Sequence, residues 1–210
     1  MDCTLRTTGS VNGHEYVDLG LSVKWATCNV GANKPEEFGD YYAWGETIPK
    51  DKYTIETYKF RISGDWVDNV KYSKYNTKSD HGIVDNKTTL DLVDDVAHIK
   101  WGGSWRMPNE AELRELCENT IWRRIIVNGI KGFCVTSKKT GYTGCSIFLP
   151  SSGCRIITDL SCMGISCAYL SSSLREDPCF AWYMQDYYFI MGRTGGTFRE
   201  YGHTVRPVCL

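Results

Sequence analysis

Apolar residues along this chain fall mostly in short runs, separated by glycine and by polar turn residues. Short runs rich in β-branched and aromatic residues read as strands. Tyr16–Leu21 and Val23–Ala26 predict an N-terminal pair of strands. Segments 133–137 and 146–150 predict a hairpin, and strand-like stretches follow at 168–173, 180–185, 187–191 and 203–208. Helical signals appear in two places. Segment 91–99 has Asp91, Asp94 and Asp95 near its start and His98 near its end, which complements a helix dipole. After Pro108, Asn109 is a good N-cap and Glu112 completes a capping box. Ala111, Leu113, Leu116 and Cys117 then give an apolar face at helical spacing. Strands, two helices, then more strands predict an α+β fold: two helices packed on a twisted, mainly antiparallel sheet that the C-terminus completes.

The 210 residues fit one domain. Residues 1–13 read as a tail, 14–210 as the domain, and the polar, Lys- and Tyr-rich stretch 46–90 as an insertion or long loop. A net charge of -1 advertises no polyanionic partner, so no nucleic acid is expected. No apolar run is long enough to span a bilayer, and no apolar signal segment follows Met1. No membrane insertion is expected.

Motifs for chemistry are sparse. The ten cysteines contain no C-x-x-C pair, and His14, His81, His98 and His203 are scattered, so neither a metal site nor a cofactor is expected. Asp94-Asp95 suits a helix N-terminus better than calcium. Ser171-Ser172-Ser173 lacks a nucleophile elbow and reads as hydrogen-bonded strand. Trp101-Gly102-Gly103-Ser104-Trp105 reads as a tight turn, without phosphate-loop spacing. No catalytic residue is assigned, and no enzyme is expected.

Composition changes along the chain. Asn occurs nine times up to Asn128 and Lys thirteen times up to Lys139, and neither occurs afterwards. Six of the ten cysteines lie between Cys134 and Cys179.

Several ordered segments carry a resemblance: Tyr16–Ala32, Gly39–Glu46, Asp94–Ala97, Trp101–Pro108, Asn128–Gly132, Ser146–Pro150, Ser171–Leu174 and Val205–Cys209. Together they resemble the Fibrobacter succinogenes major paralogous domain of gut Bacteroidetes and their phages, over roughly residues 14–210. The resemblance implies a C-type-lectin-like fold of the formylglycine-generating-enzyme-like superfamily. It also implies kinship with the variable proteins of diversity-generating retroelements, in which template adenines are randomised and the altered residues form a binding surface. Expected partners are then a protein or glycan ligand on a cell or phage-host surface, with homo-oligomers common and a cell-surface or virion location. The rivals are a fixed adhesin or glycan-binding module, and an enzyme on the same scaffold. The lectin calcium tripeptides and the oxidase cysteine motif are absent. Tyr169-Leu170 stands where relatives carry Tyr-Trp, and Cys154, Ile156, Ile157, Cys162, Ile165 and Cys167 occupy a stretch usually rich in Asn, Gly and Ser.

That resemblance gives the composition shift a meaning. Asn codons randomised at their first two bases cannot become Lys, Gln, Glu, Met or Trp. Met163, Glu176, Trp182, Met184, Gln185, Met191 and Glu200 are therefore expected to be fixed scaffold positions. The variable binding region is expected at 154–201. Its ligand-facing candidates are Leu170, Cys179, Phe180, Tyr183, Tyr187, Tyr188, Ile190, Gly192, Thr194, Phe198 and Tyr201, whose rings would supply rigid contact area. Arg175, Arg193 and Arg199 would add charge-assisted hydrogen bonds.

Overall fold

The computed structural model describes residues 7–187 and 190–210, with the backbone alone at Tyr187, Ile190 and Met191. In chain order the strands are β1 (Gly9–Val11), β2 (His14–Val17), β3 (Lys24–Ala26), β4 (Arg61–Ser63) and β5 (Lys71–Tyr72). Helices α1 (Val96–Trp101) and α2 (Glu110–Asn119) follow. Then come β6 (Thr120–Val127), β7 (Ile130–Ser137), β8 (Ser146–Pro150), β9 (Cys154–Ile156), β10 (Asp159–Ser161), β11 (Ala168–Leu174), β12 (Phe180–Tyr187), β13 (Ile190–Phe198) and β14 (Val208–Cys209).

This arrangement corrects the α+β, lectin-like expectation of two helices on one twisted sheet. The fold is mainly β, with 37% strand and 13% helix. Its strands form five small sheets: β1-β2-β3-β14, β6-β7-β8, β11-β12-β13, β4-β5 and β9-β10. Every pairing between these strands is antiparallel. The physical reason lies in the run lengths: most apolar segments are too short and too rich in aromatic and β-branched residues for helix.

The helices form where local signals are strong. Asp95 caps α1 by accepting from the His98 amide at 3.0 Å. It also accepts from the Met107 amide, which ties the helix to the turn after Trp105. Asn109 and Glu112 make the reciprocal capping box of α2. Arg106 pairs with Glu112 at 2.6 Å and holds that carboxylate in place. Leu113 and Leu116 are fully buried, each contributing about 1.5–3 kcal/mol by leaving water. They pack with Trp25, Phe133, Val135, Ile147 and Leu149, which joins α2 to the N-terminal and central sheets.

Two further expectations change. Residues 9–11 of the expected tail form β1, paired with β2. Segment 46–90 is no loose insertion: Tyr53, Tyr58, Phe60, Tyr72 and Tyr75 are buried in one core with Trp44, Leu170, Leu174 and Ala181. A buried arginine holds this unit against the C-terminal sheet. Arg199 donates to the Tyr58 hydroxyl at 3.0 Å and to the carbonyls of Lys74, Tyr75 and Pro178, each at 3.1 Å. Its guanidinium lies 4.2 Å from the Tyr72 ring centre and 5.0 Å from that of Trp44, within cation–π range. Arg206 plays a similar part, bridging Asn29, the carbonyls of Ala26 and Thr27, and that of Phe148.

Gly192 shows why a glycine sits inside β13. Its φ is +59°, and a Cβ there would lie 2.9 Å from the Trp122 indole. Replacing Gly192 with alanine is expected to cost about 1–3 kcal/mol, from left-handed strain plus the displaced indole. Urea denaturation would read this as a lower midpoint at unchanged slope.

Candidate functional site

Strands β11–β13 and the β9–β10 hairpin enclose a cavity of about 300 Å³. Its floor comes from Ala168 on β11, from Phe180, Tyr183 and Gln185 on β12, and from Gly196, Thr197 and Phe198 on β13. Tyr201 and His203 follow β13 and close one side, while Gly153, Cys154, Ile156, Cys162 and Ser166 close the other. The pairing Tyr183↔Gly195 sets a glycine beside a large ring on this face, where a Cβ would lie 3.4 Å from the Tyr183 ring. Phe180 and Phe198 meet at 4.7 Å between ring centres, and Phe198 and Tyr201 at 5.1 Å.

The lining contains no Asp, Glu, Lys or Arg. Burial drives the His203 imidazole down to about 3, so it is neutral at physiological pH. His203 Nε2 lies 2.7 Å from the Thr197 hydroxyl, and its ring centre 5.3 Å from that of Tyr183. Burial also pushes the Tyr183 hydroxyl up to about 12 and the Cys154 thiol up to about 11. An uncharged aromatic bowl can bind by shape and dispersion.

The structure separates the sequence-predicted residues into groups. Phe180, Tyr183, Phe198 and Tyr201 come together around the cavity. Arg193 is exposed and Thr194 half-buried on β13. Arg175 stacks on Trp182 at 4.5 Å, and its side chain covers Gly196. Tyr187 and Ile190 belong to β12 and β13, but their side chains, like the whole of Tyr188, lie outside the described residues.

Three candidates are corrected. Leu170 is 1% exposed and faces the core, because β11 is covered on both sides. Cys179 is 1% exposed and packs beside His81 and Val67. Arg199 is fully buried in its aromatic cage. Gly192 is half-buried beside Trp122. Sequence reasoning left Gly196, Thr197 and His203 out of the site. A histidine followed by strand-like residues carried no signal that its ring turns toward Tyr183.

Other chemistry is sparse among the described residues. His81, Asp177 and Cys179 bring potential metal-ligating atoms within 4.8 Å of one another. Those atoms already have partners. The Asp177 carboxylate accepts from the Cys179 amide at 3.0 Å, and His81 Nδ1 lies 3.2 Å from the Val70 carbonyl. Asp94 is taken by Lys59, Lys74 and the Tyr75 hydroxyl. Eight of the described cysteines are free thiols. Burial pushes the thiols of Cys117 and Cys179 up to about 12 and raises that of Cys167 well above its ordinary value, opposite to what a nucleophile needs. A second cavity, about 330 Å³, is lined by Asp40, Lys50, Asp51 and Arg155 and lies away from the C-terminal sheet floor. No described helix is long and apolar enough to cross a membrane.

No family model, curated protein or solved structure matches the chain. The family resemblance therefore rests on the sequence segments alone.

Proposed function

We propose that this is a non-catalytic recognition protein whose ligand seats on the concave face of β9–β13, and that the solvent-facing positions of that face are diversified between copies of the gene. One observation carries the reading. The cavity is lined only by residues between Gly153 and His203, within the part of the chain that contains no Lys and no Asn. Its four aromatic rings offer large, rigid contact area with little rotamer entropy to lose. The strands beneath supply the opposite need, because Ala181, Met184 and Asp186 are buried and hold the sheet in place. Asp186 accepts from the Cys167 amide at 2.6 Å and pairs with Arg124 of β6 at 3.0 Å. The resemblance to retroelement variable proteins supports the same reading and suggests a protein or glycan ligand on a cell or phage-host surface.

A binding screen against bacterial surface components tests the placement. Arg193 is exposed and pairs with Gln185 of the cavity lining, so Arg193→Glu is expected to weaken any captured component at least about tenfold. Arg114→Ala, in an exposed Glu110–Arg114 pair on α2, is expected to leave it unchanged. The reverse pattern would move the site elsewhere.

A further inference from the structure

Resting on the reading of this face as the recognition surface, we propose that its cavity takes an uncharged aromatic group of one or two rings. Three observations select that class. The first is charge. The lining holds no ionic side chain, and burial keeps His203 neutral, so a carboxylate, phosphate or ammonium would enter without a countercharge.

The second is hydrogen-bonding capacity. Ser166 Oγ donates to the Asp186 carbonyl at 2.5 Å, and the Thr197 hydroxyl is engaged with His203 Nε2. The Tyr183 hydroxyl interacts with Gln185. His203 Nδ1 is buried without a partner and can meet one hydroxyl, but a sugar carries several, and the others would find no free partner among these side chains.

The third is shape. The cavity, about 300 Å³, is at the small end for ligand sites, which run from about 300 to 1,000 Å³. The tilted Phe180–Phe198 pair and the steep Phe198–Tyr201 pair present both faces and edges to an entering ring.

The same chemistry reaches the cavity either as a free aromatic molecule or as an aromatic side chain of a protein partner. Amide-proton NMR on the full ¹⁵N-labelled chain tests the class and separates the sources. The probes are indole, N-acetyltryptophanamide, indole-3-acetate and N-acetylglucosamine. Indole is expected to bind with a dissociation constant of about 1 mM or below. The shifts should concentrate at residues 153–168, 180–185 and 195–203. Indole-3-acetate and N-acetylglucosamine are expected to bind at least about tenfold more weakly. Binding of N-acetyltryptophanamide alongside indole assigns the source to a side chain, and its failure assigns it to a free molecule; both support the class.

Cys162 is exposed and lines the cavity, so Cys162→Trp fills the mouth from a residue outside the core. This variant is expected to lose indole binding at least about tenfold while keeping its thermal transition. Preference for the charged probe or the sugar would overturn the proposal. So would the absence of indole-induced shifts in the wild-type cavity at about 10 mM indole, an outcome that does not depend on any variant folding. If indole fails while Arg193→Glu still weakens capture of a surface component, the ligand class is wrong and the recognition face stands. If indole binds but Arg193→Glu has no effect on capture, the cavity stands and the wider reading falls.

Discussion

Replacing Arg199 with alanine is expected to cost about 3–5 kcal/mol of stability, enough to unfold a marginal domain. The side chain is fully buried and spans four acceptors: the Tyr58 hydroxyl and the carbonyls of Lys74, Tyr75 and Pro178. Removing it leaves these groups without a donor in a dry core, and each orphaned group costs about 1–3 kcal/mol before relaxation. The rings of Tyr72 and Trp44 lose their cation at the same time. Lysine does not rescue the site, because a single ammonium cannot reproduce the planar fork that reaches opposite sides of the cage. Urea denaturation of Arg199→Ala and Arg199→Lys reads both losses. A change below about 1 kcal/mol would show that segment 46–90 does not depend on this anchor.

The second large effect is a pH dependence set by His203. Its folded-state value, about 3, lies far below the ordinary histidine value of 6.5, because the buried ring resists charging. The unfolded chain therefore binds the extra proton first as pH falls. The stability tied to the neutral ring is complete above pH 6.5 and is lost progressively from there toward pH 3. The slope is about 1.4 kcal/mol per pH unit, or about 2 kcal/mol between pH 6.5 and pH 5. His14, stacked on Trp101, is also lowered by burial and acts in the same sense. The contribution of His203 is thus isolated by subtraction. His203→Gln is expected to lose most of the wild-type slope between pH 6.5 and 5. An equal slope in both proteins would mean that the ring charges in the folded state.

The legible parts of the fold are those written in adjacent residues. The capping box of α2 needs only Asn109 and Glu112, and both perform as their spacing predicts. The pairing of β7 with β8 follows from two apolar runs around a turn. Segment 46–90 was illegible for a physical reason. Its tyrosines are separated by lysines and aspartates, so no periodicity announces that Tyr53, Tyr58, Tyr72 and Tyr75 share one core with residues a hundred or more positions away. Strand β6 is hidden in a similar way, since Arg123 and Arg124 interrupt its apolar positions while Trp122 turns inward.

The candidate site divides along the same line. Aromatic type singles out Phe180, Tyr183, Phe198 and Tyr201, which the fold gathers around one cavity, but residue type cannot say which side of a sheet a position faces. Leu170 and Arg199 look like contact residues in the sequence and are scaffold in the fold. The codon argument for fixed positions has the same limit. Met184 is fully buried, as a scaffold residue should be, whereas Met163 is 52% exposed and Glu176 lies on the surface. Codon type and burial are independent criteria, and under the proposed diversification only positions that satisfy both would change.

Sequencing the 3′ segment in many copies of this gene from related lineages tests the account most directly. The predicted result is substitution concentrated at Phe180, Tyr183, Arg193, Phe198 and Tyr201, with Ala181, Met184, Asp186, Arg199 and His203 constant. Substitutions spread evenly over buried and exposed positions, or over the whole chain, would contradict a diversified recognition face on a fixed scaffold.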